Sequence, residues 1–145
     1  MNETSRRDAL RNRQNRVNAV NELVIVIARN GRNFFYRKSE KRYAKMIMKQ
    51  NGRLYWVDDF TGDELYLHGN SFSSTRNFSH GETLKELVKS LKEFVMTGEK
   101  LHYGLGPWPD WICNGDLWGY GDDMLKVRDA AYSLGIFSRR EKEEE

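Results

Sequence analysis

One cysteine, two prolines and three histidines are thin material for a chain of 145 residues, and each scarcity excludes something. The lone thiol, Cys113, has no partner for an internal disulfide. The expectation is a reducing, cytoplasmic setting, or a fold indifferent to redox state. His68, His80 and His102 share no metal-ligand spacing with one another or with Cys113, which argues against zinc. No apolar run approaches the roughly 20 residues of a membrane span, and no hydrophobic segment follows the basic N-terminus; neither a membrane partner nor a secretory signal is expected. Catalytic patterns are missing too. No serine sits in a nucleophile elbow, and no glycine-rich loop leads from a strand into a helix. Asp58, Asp59, Asp63 and Glu64 lack the ligand alternation of a calcium loop and read as turn chemistry. Asp110 and Asp116 read as loop caps, and Cys113 as a small buried hydrophobe. No catalytic residue, metal or cofactor is assigned, and an enzyme has no positive support.

What is present is charge and aromatic area: 31% charged residues, 12% aromatic, mean hydropathy −0.79. The net charge is +3, but residues 1–53 carry a net +10 and residues 54–145 a net −7. Such asymmetry prompts a search for nucleic acid or acidic partners, although packing of the two halves against each other would offset it. Residues 1–21 form an Arg/Asn-rich segment with a thin stripe of Ala9, Leu10, Val17 and Val20. It reads as a basic arm or a helix with Ser5 at its cap.

Two Asn-Gly pairs, Asn30-Gly31 and Asn51-Gly52, each lie between segments rich in β-branched and aromatic residues, the signal for type I′ hairpins. Two-residue turns would pair Ile27 with Phe34 and Val26 with Phe35 in the first hairpin. In the second they would pair Met48 with Tyr55 and Ile47 with Trp56. Glu64–His68 supplies a further strand. The predicted fold is α+β: a twisted antiparallel meander of four to five strands over residues 22–68, packed by two helices. One domain spans residues 22–137, followed by a charged tail, 138–145.

The first packing helix runs from the capping box Ser79-His80-Gly81-Glu82 to Gly98, with Leu84, Leu87, Val88, Leu91, Phe94 and Val95 on its apolar stripe. The last is marked by Met124, Val127, Ala131 and Leu134 and closed by Gly135. Between them lies an irregular Trp/Gly-rich segment, Tyr103–Gly121, with too much glycine and proline for a regular element and too much tryptophan for a linker. It is expected to be ordered, with at least one tryptophan partly exposed.

Two partners follow from these patterns. Nucleic acid would be contacted through Arg6, Arg7, Arg11, Arg13 and Arg16 of the arm, and through Arg32, Arg37, Lys38 and Arg42 of the sheet region. Strand-borne Lys45, Lys49 and Arg53 interleave with Tyr36, Tyr43 and Tyr55 there, as backbone contact plus base stacking requires. A host protein would instead be met by Trp108, Trp111, Trp118 and Tyr120. The stretches SHGETLKELVKSLKEF and GPWPDWICNGDLWGYG resemble small uncharacterised proteins encoded by tailed bacteriophages. That resemblance covers the second half of the chain and implies a host-directed accessory role, with no activity or site residues attached.

Overall fold

A computed structural model gives the architecture and describes residues 3–30, 35–59, 61–68, 82–102 and 121–138. In chain order these form α1 (Glu3–Arg29), β1 (Tyr36–Arg37), β2 (Arg42–Tyr43), β3 (Lys45–Met48), β4 (Leu54–Val57), β5 (Glu64–Tyr66), α2 (Glu82–Thr97), β6 (Leu101–His102), α3 (Gly121–Ser133) and β7 (Phe137–Ser138). The α+β class predicted from the sequence holds. β3, β4 and β5 make an antiparallel meander, and β1 and β2 a short antiparallel ribbon beside it. A two-residue parallel pair, β6 with β7, lies outside anything the sequence pattern predicted.

The organising element is α1, which packs against β3, α2 and α3. This corrects the strand expected to carry Val26 and Ile27 into the first hairpin. Val17, Val20, Leu23, Val24, Ile27 and Ala28 are all buried, and their spacing of three and four residues is the helical period. Each β-branched residue gives up at most about 0.7 kcal/mol of helix propensity. Burial of the side chain contributes about 1.5–3 kcal/mol, so the packing decides. Asn30 then serves as a helix stop: its Nδ2 donates to the Val26 carbonyl at 2.8 Å and its N–H to that of Ile27 at 3.2 Å. The expected pairing of Val26 with Phe35 does not form. Phe35 adopts a left-handed backbone (φ 67°) and is buried edge-on against Trp56, centroids 5.4 Å apart.

The second Asn-Gly pair does turn a hairpin, but over three residues. Lys49 N–H donates to the Arg53 carbonyl at 3.0 Å and Gly52 N–H to the Lys49 carbonyl at 2.8 Å, with Gly52 at φ 86°. This is a turn closed by a left-handed glycine. The register is therefore Met46 with Trp56, Ile47 with Tyr55, and Met48 with Leu54. Relative to the two-residue expectation it slips by one, and a slip of one exchanges the faces of one strand. Met46, Leu54, Trp56 and Leu67 turn inward and are buried.

β3 is an edge strand, and Met46 directs its backbone outward. Asn21 meets it there: the side-chain Nδ2 donates to the Met46 carbonyl at 2.8 Å, and Oδ1 accepts the Met46 N–H at 2.7 Å. One amide on α1 thus satisfies both backbone groups that an edge leaves open, and protects that point from pairing with another chain. Leu87, Val88, Leu91, Phe94 and Val95 of α2 complete the core as their stripe predicts, with Val127 and Ala131 of α3. Gly98 (φ 78°) closes α2 through its N–H to the Phe94 carbonyl, 2.8 Å. Gly135 (φ 78°) closes α3 with the paired bonds of a Schellman motif, Ile136 N–H to Ala131 and Gly135 N–H to Tyr132. Ser79, His80 and Gly81 of the expected capping box lie outside the described residues, as does the tail beyond Ser138.

Candidate nucleic-acid interface

The five arginines of the N-terminal segment divide according to the side of α1 they occupy. Residues 4–9 are exposed all round, so Arg6 and Arg7 stand on a helical end clear of the core. Arg11 is exposed as well, with Asp8 at 3.7 Å, a pairing that contributes little in water. Arg13 and Arg16 turn inward instead. Arg13 Nη1 donates to the Gly52 carbonyl at 3.1 Å, tying α1 to the β3–β4 turn. Arg16 Nε donates to the Val95 carbonyl at 2.9 Å. α2 has no basic residue in its own last turn, so Arg16 brings the cation that the negative end of a helix favours. Burial, and secondarily the neighbouring Arg13, lower the Arg16 pKa from its ordinary value, although a guanidinium stays charged at any ordinary pH. These two of the predicted contact residues therefore have structural employment.

The other predicted cations gather around the β1–β2 ribbon. Arg37 and Arg42 face each other across it, and Lys38 is exposed in its turn. Arg42 Nη2 lies 3.8 Å from Glu40 Oε1. Tyr36 and Tyr43 pack together at 4.6 Å, and the Tyr43 hydroxyl accepts from Arg29 Nε at 3.4 Å. Arg32 lies outside the described residues. So do Trp108, Trp111, Trp118 and Tyr120.

The most organised polar surface is the outer face of the meander. Its register sets three cross-strand rows: Lys45–Val57–Glu64, Ile47–Tyr55–Tyr66, and Lys49 opposite Arg53 with His68 beyond. Tyr55 and Tyr66 stack, centroids 5.1 Å apart and planes 26° from parallel, and His68 continues the line 5.6 Å from Tyr66. Cations sit over the rings, Lys49 Nζ at 4.4 Å from the Tyr55 centroid and Arg53 Cζ at 5.7 Å from that of Tyr66. Lys49 also meets Glu64 Oε1 at 2.8 Å. That hydrogen bond raises the Lys49 pKa against a smaller opposing effect of burial, with the charges of Glu64 and Tyr55 adding to the rise. Tyr66 and His68 were not among the residues the sequence singled out for nucleic acid. The signal that would have found them is the turn between Asp58 and Asp63, because it sets the β4–β5 register that puts Tyr55 and Tyr66 side by side.

The acids of the β4–β5 turn are held in backbone geometry. The Asp58 side chain is buried and accepts from the Thr61 N–H and, at 2.8 Å, from the Thr61 hydroxyl. The Thr61 hydroxyl in turn accepts the Asp63 N–H at 3.1 Å. Among the described residues no group of three or more His, Cys, Asp or Glu could hold a metal ion, and no helix is long and apolar enough to cross a membrane.

A long basic-ended helix crossing a small meander, with the conspicuous polar surface on the sheet, defines a small α+β protein without a recognisable catalytic centre among the described residues. By sequence it belongs to the YoqU family, whose pattern matches residues 11–143. It is similar to the "SPbeta prophage-derived uncharacterized protein YoqU" of Bacillus subtilis (strain 168), with 34% identity over 122 residues, 83% of this chain and 82% of the relative. No solved structure matches. The resemblance to small phage proteins read from the second half of the chain thus extends over nearly all of it. Arg6 and Arg7 precede the matched range; Arg13, Arg16, Lys49, Arg53, Tyr55 and Tyr66 fall inside it.

Proposed function

We propose that this protein is a non-enzymatic phage accessory protein that associates with single-stranded nucleic acid through the outer face of the meander. The observation that carries the reading is the Tyr55–Tyr66 stack flanked by Lys49, Arg53 and His68. Ring faces for bases and cations for phosphates are the two components of sequence-tolerant single-strand binding. For a base to reach the rings, Lys49 must leave Glu64. An exposed ion pair contributes little in water, whereas stacking contributes about 1–3 kcal/mol per base, so the exchange favours the bound state. Arg6, Arg7 and Arg11, exposed on the first turns of α1, add a second source of phosphate contacts, steering the strand without reading it.

The test is fluorescence anisotropy with labelled single-stranded and duplex oligonucleotides over a range of salt concentrations. Single strands are expected to bind more tightly, with affinity falling log-linearly as salt rises. Tyr66→Ala is expected to weaken binding roughly 5- to 100-fold, the equivalent of one lost stacking contact. Binding that is absent, or indifferent to salt and to Tyr66, overturns the reading in favour of a protein partner.

A further inference from the structure

At the Lys45–Val57 end of the outer face the surface sinks into a cavity of about 620 Å³, between the β1–β2 ribbon and the β4–β5 turn. Lys41, Arg42 and Lys45 line it, with Tyr43, Thr61 and Gly62. Three cations converge here, and of the nearby carboxylates two are occupied elsewhere while one makes only a long contact to Arg42. Asp58 is taken up by Thr61, Glu64 by Lys49 at 2.8 Å, and Glu40 stands only at 3.8 Å from Arg42 Nη2. Arg42 Nη1 is buried and has no hydrogen-bond partner among the described residues. A buried donor left so is costly, and a charged acceptor is its strongest remedy.

The turn is shaped to keep the guanidinium in place. A Cβ on Gly62 would stand 2.8 Å from Arg42 Nη1 and 3.1 Å from its Cζ, so only glycine lets the planar group lie there. The φ of 79° at Gly62 makes the same demand independently. Packing alone would explain why Arg42 rests on Gly62. It would not explain why Lys41 and Lys45 are brought to the same cavity, Lys41 with its backbone in the left-handed region at φ 52°, where asparagine or glycine is the ordinary choice.

We propose that this cavity holds a phosphoryl group of the nucleic-acid strand whose bases lie on Tyr55 and Tyr66. Arg42 supplies the directional donor, and Lys41 and Lys45 supply charge. Lys45 and Val57 belong both to the outer face and to the cavity wall, so one strand can reach the two without a break. The identification of the strand rests on the reading above; the site itself rests on the cavity, the cations and the unpartnered Nη1. Two sources share the chemistry, an internal phosphodiester and a terminal phosphate.

The experiment compares 5′-phosphorylated and 5′-hydroxyl oligonucleotides, and inorganic phosphate, on the wild type and on Arg42→Gln, Lys41→Ala and Tyr66→Ala. Lys41 is exposed, so its replacement tests the site even if Arg42→Gln proves unstable. Arg42→Gln is expected to weaken oligonucleotide binding roughly tenfold, Lys41→Ala severalfold, and each to reduce the salt slope by about one. A wild-type preference for the 5′-phosphate that disappears in Arg42→Gln assigns a terminal phosphate. Equal binding of both oligonucleotides, weakened alike, assigns the phosphodiester. Oligonucleotide binding lost in Tyr66→Ala but untouched in Arg42→Gln and Lys41→Ala overturns the cavity and leaves the sheet reading standing. NMR shifts of Arg42 Nε–H on adding phosphate, retained in Tyr66→Ala with no oligonucleotide bound by any variant, overturn the strand as the source and make the cavity a site for a small phosphorylated molecule.

Discussion

The two faces of one three-stranded sheet are built from the same strands, and they have opposite fates. The inner face buries Met46, Leu54, Trp56 and Leu67 in the core shared with α1 and α2, with α1 lying against β3. The outer face, one residue over at every position, carries Lys45, Lys49, Arg53, Tyr55, Glu64, Tyr66 and His68. Both faces are aromatic, so ring content does not separate them. What separates them is what surrounds each ring: Trp56 is wholly buried beside Phe35, whereas Tyr55 and Tyr66 are half-buried beneath cations. Side-chain period alone puts one ring to structural use and leaves the others open to a ligand.

The largest expected effect breaks the inner face. Trp56→Ala should destabilise the fold by about 3–5 kcal/mol, measured by urea unfolding; an effect under 1 kcal/mol would mean that the sheet does not rest on this ring. Next comes the edge that locates the sheet on α1. Removal of the Asn21 amide by Asn21→Ala leaves the Met46 N–H and carbonyl unanswered, an expected loss of about 1–3 kcal/mol. Faster hydrogen exchange at Met46 in particular would distinguish this from a general loosening.

The register itself can be challenged at Gly52. Alanine there must hold φ 86° and places a Cβ 3.0 Å from Arg13 Nη1 and 3.2 Å from Leu10 Cδ2. An expected loss of about 1–2 kcal/mol follows from the left-handed backbone, and full retention of stability would argue for a different turn. The smallest effect on stability belongs to the outer face. Lys49→Ala removes an exposed ion pair and should leave the unfolding midpoint almost unchanged while weakening oligonucleotide affinity and flattening its salt dependence. A stability loss as large as that of the inner face would place Lys49 in the architecture rather than at a binding surface.

How much of this was legible in the residues varies from element to element, for local reasons. α2 could be read from its stripe and its terminal glycine because helix period, amphipathicity and stop signal agree over residues 82–98. The acids at 58–64 could be read as a turn because Asp, Thr and Gly bond their own backbone nearby. α1 could not be read as one helix. Leu23–Ala28 is as apolar and β-branched as a strand, and Asn30-Gly31 serves equally as hairpin turn or helix stop. The outer face was half legible: its lysines, arginines and tyrosines were visible as a mixture, but which tyrosines adjoin depends on the β4–β5 register set by the turn from Asp58 to Asp63.

The sequence alone determined the class, an antiparallel sheet with amphipathic helices, because turn chemistry and hydrophobic period act over a few residues. It also determined that the first third of the chain is strongly basic. Only the tertiary structure decided which arginines are committed to distant backbone. Arg13 and Arg16 are spent on carbonyls 39 and 79 residues away, and no local pattern reports a partner at that distance. The tertiary structure likewise decided that residues 23–29 are helical. Their burial needs α2, α3 and β3 together, and a side chain's preference of a few tenths of a kcal/mol yields to a core worth several times more.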